Sequence, residues 1–143
     1  MTGYLVDSSA LWRMARDRAV AEKWLQTIAD GELRSCYPQR AEFLSSSRNL
    51  ADFDELAMRF DELYREISVP KSAGSWIRTF QRRAARGGCI NAFSAVDLQI
   101  CATAGHHNLV IVHDDNDFAT ATRFAAELRE VNVHDGPPEW ASE

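Results

Sequence analysis

Acidic side chains follow two of the most apolar segments of the chain. Asp7 directly follows Tyr4–Val6, and three acids lie within residues 114–117, just after the apolar run Leu109–Val112. Capping one helix needs a single acid, so this group is larger than capping explains. Carboxylates that lie so close repel one another and raise one another's pKa unless a cation neutralises them. Because Mg²⁺ and Mn²⁺ prefer carboxylate and water oxygens as ligands, the pattern predicts a divalent-metal site.

Glu42 and Asp97 are the other candidate ligands, and each acid also has a structural explanation. Asp7 can shape a turn, and Glu42 can be an ordinary residue on a helix surface. Asp97 lies three residues after Ser94, which is the spacing of a capping box. Asp117 suits the N-cap of the helix that follows it. One shared metal site accounts for the acids more economically than separate roles do.

Strands and helices alternate along the chain, and their order decides where the acids lie. Short apolar runs predict strands at residues 4–6, 33–36, 67–69, 109–112 and 131–133. Such alternation is typical of an α/β fold with a mostly parallel sheet and helices on both faces. Parallel strands all end at one rim, which is where ligands bind in open α/β sheets. Asp7 and Asp115 therefore meet there if the first and fourth strands are neighbours.

Helical spacing and cap residues mark the helices between these strands. Ser8 or Ser9 suits the N-cap of the first helix, and Pro38 suits the first turn of the third. A long amphipathic helix is predicted over Phe53–Ile67, with apolar surface for a core and for a partner groove. The last helix is predicted over residues 118–128, where apolar side chains recur at helical spacing.

Length and composition restrict the class of protein. With 143 residues, of which 45% are hydrophobic, the chain is expected to form one domain over residues 1–143 with an irregular tail over 136–143. No apolar run reaches about 18 residues, which argues against a membrane helix, and no signal-peptide pattern is visible. Cys36, Cys89 and Cys101 show no paired spacing and fit reduced thiols. Together these features predict a cytoplasmic protein.

A net charge of -5 gives no general affinity for nucleic acids, but one segment is strongly basic. Residues 71–93 hold five Lys or Arg side chains and no acid. Within this segment Arg78, Arg82 and Arg86 recur every four residues, which places them on one helix face. A solvated helix face is the commoner explanation for such a pattern. Contacts with RNA phosphates are the alternative, and the missing acids favour that alternative.

Four motifs in order make the sequence similar to a known family. They are Val6–Leu11, a lone Glu42 after the second strand, Ala95–Ala102 and Val112–Phe118. Each motif alone is weak, but the ordered set spans almost the whole chain. It resembles the PIN-domain ribonucleases, and in particular the VapC toxins of bacterial toxin–antitoxin pairs. The family often has Thr or Ser where this chain has His113, so we expect different hydrogen bonding at that position.

This resemblance implies a fold, an activity and partners. The fold would be a PIN-like parallel sheet of five strands in the order 3-2-1-4-5, between two layers of helices. The family's metal site is matched by Asp7, Glu42, Asp97 and Asp115, and Asp117 matches a further acid that some members have. The implied activity is Mg²⁺- or Mn²⁺-dependent cleavage of structured RNA, such as tRNA or rRNA, which inhibits translation. The implied partners are a VapB-like antitoxin and a second copy of the chain in a homodimer.

Other classes of protein also place acids at strand ends. A phosphotransfer enzyme usually has Asp-x-Asp after its first strand, whereas this chain has Asp7-Ser8-Ser9. A receiver domain needs a lysine late in its chain, and Lys71 is the last lysine here. Two PIN-like alternatives stay open, a housekeeping nuclease of RNA processing and a module that binds RNA or protein without cutting. The presence of all four acids argues against the non-catalytic module.

Overall fold

Five short strands form one parallel sheet at the centre of the computed structural model, which describes residues 3–142. In chain order they are β1 (Tyr4–Val6), β2 (Leu33–Ser35), β3 (Arg65–Glu66), β4 (Val110–His113) and β5 (Arg129–Asn132). Side by side they lie in the order β3-β2-β1-β4-β5, which confirms the predicted order. Because β1 pairs with both β2 and β4, Val6 lies beside Val112 at the carboxyl rim of the sheet.

Helices connect the strands throughout the described residues. They are α1 (Ser8–Arg16), α2 (Arg18–Ala29), α3 (Tyr37–Leu44), α4 (Leu50–Leu63), α5 (Ala73–Arg86), α6 (Ala95–His107) and α7 (Asn116–Ala121). None of the helices between residues 3 and 142 combines the length and the apolar composition of a membrane span. The tail that we expected to be irregular contains a short 3-10 turn over Glu139–Ser142. Residues 1, 2 and 143 of the predicted domain lie outside the described part.

The sheet separates two hydrophobic clusters. Successive side chains of a strand point to opposite faces, so Leu5 and Ile111 join one cluster with residues of α5 and α6. Tyr4 and Val6 join the other cluster, with residues of α1 to α4, where Trp24 is fully buried. Strands β1 and β4 are buried along their whole length because helices cover both faces of the sheet. This burial explains why both strands read as uninterrupted apolar runs.

The predicted helix over Phe53–Ile67 and the predicted strand over Ile67–Val69 are displaced in the structure. Helix α4 covers Leu50–Leu63, and its C-cap Tyr64 has left the helical conformation, with φ -127 and ψ 84. The third strand is Arg65–Glu66, which pairs with β2 at the edge of the sheet. The apolar spacing continues past the helix because Tyr64 and Ile67, on either side of the exposed strand Arg65–Glu66, are partly buried against the two hydrophobic clusters.

The last predicted helix is also shorter than expected. It was predicted over residues 118–128, but α7 ends at Ala121 and turns follow it. Ala125 and Leu128 are still buried, so they fill core positions from irregular backbone. Turns rather than a continued helix thus bring the chain to the start of β5, which runs parallel to β4. The other strand boundaries agree with the predictions to within about two residues, the usual scatter of such assignments.

Candidate active site

Asp7 lies at the end of β1 and is itself the N-cap of α1. Its Oδ2 accepts hydrogen bonds from the Ser9 amide at 3.0 Å and from the Ser9 hydroxyl at 2.5 Å. The prediction that Ser8 or Ser9 caps this helix is therefore wrong. The Asp7 carboxylate, and not the hydroxyl of Ser8 or Ser9, is the cap because Asp7 is the last residue with extended backbone before the helix. Asp7 is only 5% exposed, so its position is fixed by the strand, the helix and the core.

Ser9 also connects the two central strands. Its Oγ accepts the amide N–H of Asp114 at 2.9 Å while its hydroxyl donates to Asp7. The residues that follow β1 and β4 are thus joined through one side chain. Ser9 was predicted only as a possible helix cap, and the signal for its actual role is a hydroxyl two residues after a strand-terminal acid.

Asp97 lies in the first turn of α6, where the predicted capping box is present. The Ser94 hydroxyl accepts from the Asp97 amide at 3.1 Å, and Asp97 Oδ2 accepts from the Ser94 amide at 3.0 Å. This box confirms the structural explanation of Asp97, and it fixes one carboxylate oxygen. A capping role does not exclude metal binding by Asp97, because the capping box occupies only part of the carboxylate's capacity to accept hydrogen bonds.

Asp115, rather than Asp117, caps α7, which corrects the prediction for that helix. The Asp115 Oδ1 accepts the amide N–H of Asp117 at 2.9 Å. Burial raises the pKa of Asp117, and the negative charge of Asp115 raises it further. The two acids are therefore neighbours in the first turn of a short helix.

Asp114, the third acid of this segment, is held elsewhere. Its carboxylate forms an ion pair with Arg13 on α1 at 2.9 Å and lies 3.2 Å from Nε2 of His134. The resemblance gave Asp114 no counterpart, and these partners explain how the chain accommodates the extra acid. The sequence also gave His134 no role, because its contact with Asp114 depends on the return of the chain after β5.

The electrostatics show which acids are close to one another. Burial is the largest cause that raises the pKa of Asp7, the bonds from Ser9 lower it, and the charge of Glu42 raises it. Burial likewise raises the pKa of Asp97, the bonds from Ser94 lower it, and the charges of Asp7 and Asp115 both raise it. Asp97 thus senses acids from β1 and from the loop after β4. Carboxylates that destabilise one another in this way bind a cation favourably.

Glu42 is exposed on α3, and its charge acts on Asp7. Within residues 3–142 no three acidic, histidine or cysteine side chains stand close enough to form a ready-made set of metal ligands. Mg²⁺ usually keeps several water molecules and binds only one or two carboxylates directly. The chemistry of the donor set therefore fits a hydrated divalent ion better than a closed protein cage.

The three predicted RNA-binding arginines all lie on α5, and we call Arg78, Arg82 and Arg86 the arginine face. All three are exposed, and within the described part of the chain none of them has an acidic partner. The end of α5 leads through a short 3-10 turn to the start of α6, close in the chain to Asp97. Of the three, Arg86 is the closest along the chain to Asp97, and Arg78 lies about 12 Å farther along the helix.

Comparison with known proteins identifies the family of the chain. The model of the PIN domain family matches residues 4–123. The chain belongs to the PIN domain family. This result confirms the resemblance that the four sequence motifs indicated.

Individual relatives agree with this assignment. The PIN domain is 46% identical over 95 residues to ribonuclease VapC6 of Mycobacterium tuberculosis, covering 66% of this chain and 75% of that protein. It is 30% identical over 141 residues to ribonuclease VapC21 of the same organism, covering 97% of this chain and 94% of that protein. Among solved structures, DNA-bound VapBC from Salmonella typhimurium matches with a TM-score of 0.71 and 16% identity, covering 93% of this chain and 99% of that one. At that identity the match shows the fold alone.

Proposed function

We propose that the chain is a Mg²⁺- or Mn²⁺-dependent endoribonuclease and the toxin of a VapBC-type toxin–antitoxin module. We assign Asp7, Glu42, Asp97 and Asp115 as the catalytic and metal-binding acids, with Asp117 as an additional metal ligand. The observation that carries the proposal is the match of the PIN domain model to residues 4–123. The acids are supported by the electrostatics of Asp97, whose pKa is raised by burial first and then by the charges of Asp7 and Asp115.

The hydrogen bonds of these acids prepare them for a metal ion. One oxygen of Asp7 accepts both bonds from Ser9, and one oxygen of Asp97 accepts the bond from Ser94. Each side chain is thereby held in one orientation, and its second oxygen is available to the ion or to a water molecule of its shell. When bound, a divalent ion supplies positive charge and Lewis acidity at a phosphodiester. The chain then needs to contribute orientation and negative charge rather than a histidine or lysine base.

The substrate must approach a pocket of like charge, so its binding energy has to come from another surface. The arginine face supplies three unpaired positive charges on the helix that leads to Asp97. We assign Arg78, Arg82 and Arg86 to phosphates of the RNA on either side of the cleaved bond. Phosphate contacts position a strand without reading its sequence. The proposed substrate is a structured RNA such as tRNA or rRNA, in which case cleavage inhibits translation in the cytoplasm.

The proposed antitoxin binds an apolar groove between α1, α2 and α4. The groove has a volume of about 220 Å³, and its walls include Met14, Leu25, Leu56, Phe60 and Leu63. Leu25 is 59% exposed and Leu63 is 41% exposed, which is unusual for leucines that no partner covers. A groove of this shape fits the apolar face of a peptide helix. The predicted partner surface on the amphipathic helix thus corresponds to the side of α4 that carries Phe60 and Leu63.

A metal-dependence assay tests the proposed activity. The purified chain is incubated with total RNA in EDTA, Mg²⁺ or Mn²⁺, beside Asp97→Asn prepared in the same way. We expect cleavage only with a divalent ion and only by the wild-type chain. Undiminished cleavage in EDTA, or by Asp97→Asn, contradicts the proposal. The homodimer is a separate part of the proposal, and light scattering measures it without any substrate.

A further inference from the structure

His113 ends β4 and has well-defined partners on both ring nitrogens. The side chain is almost completely buried, at 2% exposure, and its ring packs on Phe118 with centroids 5.4 Å apart. Its Nε2 lies 2.5 Å from Oε2 of Glu130 on β5. Its Nδ1 lies 3.1 Å from the amide nitrogen of Asp115. The ring therefore links the edge strand to a proposed metal ligand.

The partners determine which ring nitrogen carries the proton. A backbone amide only donates, so the Nδ1 of His113 must accept the N–H of Asp115 with its lone pair. The ring proton is then on Nε2, where it points at the Glu130 carboxylate. Glu130 thus stabilises the one tautomer of His113 that can accept from Asp115.

Only Asp114 and Asp115 separate β4 from α7, and a side chain accepts the amide N–H of each. Ser9 takes the first at 2.9 Å and His113 takes the second at 3.1 Å. Without these acceptors both amides would lie beside the core with no partner, which costs free energy. The path of this loop determines where the Asp115 carboxylate stands.

We propose that His113, held by Glu130, is a positioning residue that fixes the backbone of Asp115 and so aims its carboxylate at the metal ion. The inference rests on the proposed function, because it gives Asp115 the role of a ligand. His113 itself touches neither the metal nor RNA. Its loss lowers metal affinity and kcat through the misplacement of Asp115, while KM for RNA is unchanged.

Two substitutions of His113 separate positioning from packing. His113→Asn places an oxygen acceptor where Nδ1 was and loses the contact with Glu130. In His113→Leu the new side chain has about the volume of histidine, so it fills the space beside Phe118 but provides no acceptor. Positioning predicts that Leu is the worse replacement, whereas packing predicts that Asn is. Glu130→Gln keeps an acceptor for the Nε2 proton and serves as the mild control.

The experiment measures Mn²⁺ affinity by electron paramagnetic resonance, kcat and KM for RNA cleavage, and thermal stability for each variant. We expect His113→Leu to lose about 10- to 100-fold in Mn²⁺ affinity and kcat, as for other residues that orient metal ligands. We expect His113→Asn and Glu130→Gln to stay within about threefold of wild type, because both keep the hydrogen bond that matters. Equal losses in His113→Leu and His113→Asn, or losses that simply follow the fall in stability, overturn the proposal.

A nitrogen NMR spectrum of the wild-type ring gives a readout that does not depend on activity. We expect an unprotonated Nδ1 and a protonated Nε2, and the reverse tautomer overturns the proposal. If the wild-type chain neither binds Mn²⁺ nor cleaves RNA, the proposed function has failed rather than the assignment of His113 alone. If the wild-type chain is active and His113→Leu matches it in both measurements, the positioning role has failed and the proposed function stands.

Discussion

Asp7→Asn is the sharpest perturbation of the proposed site, because it removes a charge and almost no structure. Both hydrogen bonds from Ser9 end on the same carboxylate oxygen, Oδ2. The single oxygen of an asparagine in that place accepts both bonds, and the amide nitrogen occupies the position of Oδ1. The variant therefore keeps the N-cap of α1 and loses one negative charge and one oxygen ligand.

Activity and stability should change in opposite directions in this variant. If the Asp7 carboxylate, through the metal ion, stabilises the transition state by about 4 kcal/mol, its loss slows cleavage by about a thousandfold. Burial raises the pKa of Asp7, so its charged form destabilises the metal-free fold at neutral pH. Asp7→Asn should therefore be at least as stable as wild type. Asp7→Ala, the matched control, also loses the N-cap, which is worth about 1 kcal/mol, or about 4 °C in Tm for a chain of this size.

The measurements are single-turnover RNA cleavage in Mn²⁺ and thermal unfolding without metal. We expect both variants to be inactive, with Asp7→Ala melting at the lowest temperature of the three proteins. Near-wild-type cleavage by Asp7→Asn in Mn²⁺ would refute the catalytic assignment of Asp7. A Tm for Asp7→Asn several degrees below wild type would instead refute the argument that the buried charge destabilises the fold.

Four further predictions concern other parts of the molecule. Replacing the arginine face with alanine should reduce the slope of log affinity for RNA against log salt concentration by about two units and leave Mn²⁺ binding unchanged. As the control, alanine at Arg18, Arg48 and Arg59, which pair with acids four residues away, removes the same charge and should change this slope little. Leu25→Asp should weaken binding of a VapB-like antitoxin in titration calorimetry, whereas Met58→Asp, equally exposed but outside the groove, should not. Light scattering should show a dimer at micromolar concentration, and a monomer both free and with antitoxin contradicts that part of the proposal. The raised pKa values of Asp7 and Asp97 make the metal-free fold bind more protons than the unfolded chain, so its stability should fall as pH rises above about 4 through those values. Mn²⁺ competes with the same protons, so the increase in Tm that Mn²⁺ causes should grow between about pH 5 and pH 8. An increase in Tm that does not change with pH would count against the carboxylate site.

The parts of the fold that follow local rules could be predicted from the sequence. Tyr4–Val6 is a strand because three apolar residues precede a helix start, and the Ser94 capping box forms because its spacing suffices. The N-caps of α1 and α7 could not be predicted in the same way. Near each helix start several side chains can accept the same amides, and the end of the strand decides which one is placed to do so. The caps are Asp7 and Asp115, which were predicted as metal ligands but not as N-caps.

The contacts that hold the acids depend on residues far apart in the sequence. Ser9 meets Asp114 only because β1 pairs with β4, and His113 meets Glu130 only because β4 pairs with β5. No local pattern marks these residues, since a serine after a strand and a glutamate in an edge strand are both common.

The position of β1 in the middle of the sheet has a consequence during synthesis. Its neighbour β4 leaves the ribosome roughly a hundred residues later, so the pairing of Val6 with Val112 is among the last contacts to form. A nascent or truncated chain that ends before β4 also lacks Asp115, so Asp7 has no acid of the following loop beside it. Under the proposed function, an incomplete polypeptide without β4 therefore has an incomplete set of metal ligands. The proposed site is complete only when the chain is nearly finished, by which time α1, α2 and α4, which line the proposed antitoxin groove, have already been synthesised.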